Sequence, residues 1–185
     1  MRFILPWALI AALFLAPSLQ PPLAWGQLRT KSGSLTRKSQ IKHPRELERR
    51  ILLLTNEARR QHGLPALDPD DGLAALARQH SDDMIDRDYF SHTSPDGKTM
   101  KDRLMEAPAV ARSLSRVGEN IYGGRGQDFS DTKTIARVIV DGWMTSPGHR
   151  ANILNPAYTC LGVAVSTKGN EIRATQEFGC RRKSF

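Results

Sequence analysis

Cysteine is scarce in this sequence, with two residues in 185. That excludes a small disulfide-knotted scaffold and a four-cysteine zinc module. Beyond residue 26 no apolar run approaches the roughly 20 residues that a membrane-spanning helix needs. Locally spaced catalytic signatures are missing as well: there is no His-Glu-x-x-His and no Gly-x-Ser-x-Gly. Aromatic residues make up only 6% of the chain, so the stacking platforms of a single-strand nucleic-acid binder have little to be built from. What is present is ordinary globular material, 39% hydrophobic and 25% charged, which excludes wholesale disorder.

The net charge of +8 invites a nucleic-acid partner, but its location argues against one. Residues 27–50 hold eight basic and two acidic residues, whereas residues 51–180 hold 15 basic and 17 acidic ones. The body is therefore slightly acidic, and Arg2 with Arg181, Arg182 and Lys183 adds the remaining excess. No nucleic-acid partner is expected.

Residues 1–26 read as a signal peptide. Met1-Arg2 is a short positive start, Phe3 to Leu19 is almost wholly apolar, and Ala24-Trp25-Gly26 is a small-x-small cleavage pattern. Pro6 and Pro17 interrupt the run and disfavour an uncleaved anchor. A secreted or extracytoplasmic location, in a periplasm or at a cell surface, follows as the expectation. Residues 27–43, rich in Ser, Thr, Lys and Arg, read as a flexible basic tether. It is either a solvated linker or a means of attraction to an anionic cell-envelope surface. Residues 44–183 then form one domain with a short basic C-terminal tail.

Within that domain Leu47, Ile51, Leu54 and Ala58 lie on one helical face after Pro44, and Gly63 and Pro65 end the helix. Asp68-Pro69-Asp70-Asp71 reads as an N-cap, a helix-opening proline and an acidic first turn. Leu73, Leu76, Ala77, His80 and Met84 follow along one face. Thr99 and Asp102 form a capping-box pattern. Asp131 or Thr132 caps a helix carrying Ile135, Ile139 and Trp143, which Ser146-Pro147-Gly148 must break. The period then changes from helix to strand. Leu161, Val163 and Val165 alternate, as do Ile172, Ala174, Gln176 and Phe178, about a turn at Thr167–Asn170: a β-hairpin. Asn120-Ile121-Tyr122 is a candidate third strand. Helices around a small, mostly antiparallel sheet make an α+β domain of αβα type.

Cys160 and Cys180 flank the hairpin. In an exported protein that position predicts a disulfide bond, although a tight hairpin would need a bulge or an offset strand end to bring the two together.

Three segments place polar residues where the structural pattern breaks. They are Phe90-Ser91-His92, Gly118-Glu119-Asn120, and Ser146-Pro147-Gly148-His149-Arg150-Ala151-Asn152. Each puts a His or Glu at an element end, where side chains converge on clefts. Ser91 and Ser146 are candidate nucleophiles only in a hydrolase reading, and turn roles suit them better. His80, on an apolar helical face, reads as a core histidine.

These segments, with Gly142-Trp143-Met144-Thr145 before the third and Thr175-Gln176-Glu177-Phe178-Gly179 at the end, occur in an order that resembles the bacterial branch of the CAP superfamily. This superfamily groups cysteine-rich secretory proteins, antigen 5 and pathogenesis-related proteins, and its domain is also called the SCP domain. The resemblance covers about residues 47–180. It implies an αβα sandwich with a large cleft lined by two His and two Glu, some members binding zinc or another divalent cation there. Carried over by motif, the histidines are His92 and His149 and one glutamate is Glu119. The second glutamate position holds Ser146, a far poorer metal ligand than a carboxylate. His92, His149 and Glu119 are thus the metal candidates. His92, Glu119, His149, Ser146 and Asn120 are the cleft residues, and bracing of the loops by a His92–Glu119 hydrogen bond is the alternative.

The resulting expectation is a secreted domain whose polar cleft binds a small lipid-like or cell-envelope ligand, with or without a divalent cation, and which is not an enzyme. The alternatives are a metal-dependent hydrolase of peptide or cell-wall material using Glu119 and His149, and a non-catalytic cell-surface interaction module.

Overall fold

A computed structural model describes residues 44–126 and 131–182. The signal-peptide and tether readings, and Lys183, lie outside the described residues.

Four strands form one sheet in the order β1-β3-β4-β2. β3 (Cys160–Lys168) and β4 (Glu171–Arg181) are the expected hairpin, turning at Gly169, whose φ of +61° is a conformation that glycine adopts without cost. β2 (Leu114–Arg125) pairs antiparallel with β4 over 12 residues, far beyond the three apparent in the sequence, and forms one edge. β1 (Asp68–Pro69) pairs parallel with the start of β3 at the other edge. The reading of Asp68 as a helix cap is corrected here. Its segment joins the sheet, Asp70 is the N-cap, and the Asp70 carboxylate accepts from Leu73 N–H.

Helices cover both faces. On one side α1 (Pro44–Gln61), α5 (Thr132–Thr145) and α6 (Pro147–Ile153) bury Leu47, Ile51, Ile139, Trp143 and Ile153 against Leu161, Val163, Val165 and Phe178. On the other side α2 (Asp71–Asp86), α3 (Met100–Met105) and α4 (Pro108–Ser113) bury Leu73, Leu76 and Leu104 with Leu114 and Cys160. This is the αβα arrangement. The two clusters follow strand alternation: successive residues of β3 and β4 serve opposite cores.

The same alternation overturns the disulfide. Cys160 lies opposite Gly179, and Cys180 lies opposite Arg116. A one-residue offset turns side chains to opposite faces of a sheet. Cys160 therefore points into the α2-side core, Cys180 points away, and both are free thiols. The C-terminal basic residues are also less free than a tail implies. Arg181 pairs with Asp70 at 2.6 Å, and Arg182 Nε donates to the Leu114 carbonyl at 2.8 Å.

An edge strand exposes unpaired carbonyls. In β2 three of them, at every second residue, accept from side chains. Tyr158 Oη donates to Val117 O at 3.0 Å, Asn152 Nδ2 to Glu119 O at 3.0 Å, and Trp143 Nε1 to Ile121 O at 2.9 Å. These bonds dock α5 and α6 along the strand. Trp143→Phe keeps the aromatic bulk and removes one donor, leaving the buried Ile121 carbonyl unpaired. A loss of about 1–3 kcal/mol in urea unfolding is expected; unchanged stability would show that the caps do not hold the edge.

Candidate functional site

The pairing of β2 with β4 sets Glu119 directly opposite Glu177, so both carboxyls project from the α2-facing side of the sheet. Neighbouring buried carboxyls do not both ionise. Glu177 is 1% exposed. Burial, and then the charge of Glu119, push its pKa well above the usual range, and it donates a hydrogen bond to Glu119. Glu119 is the ionised member. Burial pushes its pKa up, but hydrogen bonds from His92 and Glu177 and the charge of Arg103 outweigh it, and the net direction is down.

Arg103 comes from α3, whose start is fixed by the Thr99–Asp102 capping box. Its guanidinium pairs with Glu119 Oε2 and donates to the His92 and Lys98 carbonyls at 3.2 and 3.4 Å. One buried cation thus neutralises the carboxylate and ties down the loop that carries His92. The His92 ring places Nδ1 2.7 Å from Glu119 Oε1 while its side chain stays 53% exposed. An imidazole that donates Nδ1–H in its neutral form carries an acceptor at Nε2. His80, from α2, is wholly buried with Nε2 3.8 Å from Glu119 Oε2. Burial drives its pKa down and keeps it neutral.

His149 reaches the same place from the opposite face. Asn120 Nδ2 donates to the His149 carbonyl at 3.1 Å and to Gln176 Oε1 at 3.2 Å. Asn152 Nδ2 donates to Asn120 Oδ1 at 2.9 Å, and Gln176 Nε2 donates to Thr55 Oγ1 at 2.7 Å. The chain of amides locks α6 to the β2 edge. The His92 and His149 ring centroids then stand 6.4 Å apart with the planes inclined at 45°. Burial lowers the pKa of His149, and the neighbouring His92 adds to that direction.

The structure therefore brings together His92, Glu119, His149 and Asn120. Ser146 is the residue before α6, but its hydroxyl makes no capping bond, and no hydrogen bond joins it to either histidine. Ser91 Oγ accepts from Thr93 N–H at 3.1 Å, a turn contact. His80 is a core residue as expected, though not a satisfied one: neither ring nitrogen has a hydrogen-bond partner of good geometry. Sequence reasoning missed Glu177 and Arg103. Glu177 occupies the polar phase of an alternating strand, which reads as solvent-facing until α2 covers it. Arg103 lies in a short amphipathic turn with no signal of its own.

A three-ligand metal site does not fit these residues. Both oxygens of Glu119 are engaged, one by His92 and one by a guanidinium, and a cation there would face Arg103. No cluster of three or more His, Cys, Asp or Glu arranged for a metal occurs among the described residues. His92 and His149 remain as two imidazoles at the surface of an ionic pair that is already neutral.

Glu177 makes a pH dependence testable. Its folded pKa lies above the unfolded one, so its contribution is fully present below the ordinary value of 4.5 and is lost as pH rises above it. The slope is up to about 1.4 kcal/mol per pH unit. Glu177→Gln retains a hydrogen-bond donor toward Glu119 and removes the titration. Unfolding by urea between acidic and alkaline pH should show the two proteins converging at the acid end and the variant gaining steadily toward the alkaline end. Parallel curves would mean that Glu177 is already ionised in the fold.

Comparison with known proteins supports the fold. The family described as "CAP: Cysteine-rich secretory protein family" matches residues 52–178. Two curated proteins of Bacillus subtilis (strain 168) are similar. The uncharacterized membrane protein YlbC is 40% identical over 121 residues, 65% of this chain and 32% of its own length. The uncharacterized protein YkwD is 39% identical over 123 residues, 66% of this chain and 44% of its own. The crystal structure of an extracellular protein containing a SCP domain from Bacillus anthracis str. Ames shares 36% identity at a TM-score of 0.62, covering 82% of this chain and 45% of that one. The matched part of this chain thus spans less than half the length of each of these three proteins.

Proposed function

We propose, from the premise that this chain belongs to the cysteine-rich secretory protein (CAP) family, that it is an extracytoplasmic binding domain whose ligand sits against His92 and His149. The family transfers a fold and not an activity, so the reading rests on the site. The observation that carries it is the paired imidazoles, held at 6.4 Å by a buried ionic cluster beneath one and an amide chain behind the other. Two ring nitrogens set over an ionic pair that is already neutral suit a polar ligand that donates hydrogen bonds through hydroxyl or amide groups. Cell-envelope glycopeptide has that chemistry. The extracellular description of the Bacillus anthracis protein and the apolar start of this sequence support an extracytoplasmic location. The basic segment 27–43 would add attraction to an anionic envelope surface.

The test uses soluble peptidoglycan fragments titrated into the full-length protein, with the histidine ring signals followed by NMR. Shifts at His92 and His149, and an affinity at least about tenfold lower in His149→Ala, are the expected result, equal to about 1.4 kcal/mol. Unmoved rings at saturating fragment would overturn the reading. One observation favours hydrolysis as a second reading: the 2.7 Å His92–Glu119 contact has the form of an oriented general base. Turnover of the same fragments, abolished in His92→Ala, would establish it.

A further inference from the structure

Behind the paired histidines lies a buried polar cluster whose hydrogen bonding is incomplete. Three side-chain atoms beside Glu119 are buried without a hydrogen-bond partner: His80 Nε2, Arg103 Nε and Glu177 Oε2. All three residues surround one carboxylate. Arg103 pairs with Glu119 Oε2, His80 Nε2 stands 3.8 Å from that oxygen, and Glu177 faces Glu119 across the strands. A buried polar atom without a partner is costly, and three in one place call for something to satisfy them. We propose that His80, Arg103, Glu119 and Glu177 enclose an internal water-binding site that forms the floor of the His92–His149 site.

The atoms choose the ligand. Arg103 Nε–H is a donor. Glu177 Oε2 is an acceptor, because the proton of that carboxyl is directed to Glu119. The two nitrogens of one imidazole diverge, so only His80 Nε2, the nitrogen on the Glu119 side, can face the same site. Arg103 Nε–H, Glu177 Oε2 and His80 Nε2 thus offer a water molecule both donor and acceptor partners. Charge excludes the other candidates. The Arg103–Glu119 pair is neutral as it stands, and burial keeps both His80 and Glu177 uncharged. A cation would meet the guanidinium, and an anion would meet the carboxylate. A neutral molecule with both donor and acceptor capacity suits these atoms, and water is the smallest of that kind.

The inference concerns the unliganded cluster, so it stands or falls separately from the binding reading. A crystal structure of the full-length protein, at a resolution that shows ordered solvent, should contain water within about 3.2 Å of at least two of Arg103 Nε, Glu177 Oε2 and a His80 ring nitrogen. A dry cluster with these atoms paired to other protein groups would overturn the proposal, and so would density for an ion. Oxygen-17 relaxation dispersion gives a second reading in solution. His80→Leu fills the space with apolar surface and should remove at least one long-lived internal water relative to the wild type. An unchanged count in folded variant protein would refute the site. If that variant does not fold, the wild-type crystal decides.

Discussion

Gly162→Ala is expected to leave no folded domain. Gly162 lies in β3 on the face that carries α2, and a Cβ built there would sit inside the van der Waals envelope of the Ala74 amide nitrogen and the Leu73 carbonyl group. These are backbone atoms of the first turns of α2, not the far end of a flexible side chain. Ordinary overpacking costs about 1–3 kcal/mol because side chains move aside. Here the whole helix would have to move, and with it Leu73, Leu76 and His80, all buried. The close approach is what glycine provides in a strand interior. Soluble yield and a cooperative thermal transition by circular dichroism check the outcome. A variant that melts cooperatively near the wild-type temperature would show that α2 can lift from the sheet without loss.

The second large effect is expected at the site. Glu119→Leu leaves the Arg103 guanidinium, 5% exposed, without a counter-charge, and breaking one side of a buried pair costs about 3–5 kcal/mol. It also removes the acceptor of the Glu177 proton and the anchor of His92. The double variant Glu119→Leu with Arg103→Met should recover much of the lost stability, because replacing both partners of a buried pair by apolar groups is often nearly neutral. Ligand contacts at His92 should not recover with it. Urea unfolding of the two single variants and the double variant gives the coupling directly. Additive losses would show that the pair is screened by solvent and not buried.

How much of this was legible beforehand depended on how local each cause is. The capping box at Thr99 and Asp102, the end of α5 before Pro147 and the β3–β4 hairpin are decided within a few residues, and the sequence shows them. The order of Phe90-Ser91-His92, Gly118-Glu119-Asn120 and Ser146–Asn152 identified the family resemblance and four residues that do converge. Asp68 and the cysteines went otherwise because both depend on register. Whether Asp68 caps a helix or joins β1 is settled by β3, some 90 residues away, whose Cys160 pairs with Asp68. Whether two cysteines meet is settled by a single step in the β3–β4 alignment. Glu177 illustrates the same limit at the site. Its phase in β4 is plain from the sequence, but a polar phase means solvent only where nothing covers the sheet.

The sequence by itself determined α1, α2, α3, α5 and the β3–β4 hairpin and which side of each is apolar, since these follow from spacing and local capping. Only the tertiary structure decided that Glu119 meets Glu177 and Arg103, that the two histidines meet around the β2 edge, and that the thiols stay apart. Those outcomes depend on strand register and on which helix covers which face, and both are set by contacts between residues far apart in the chain.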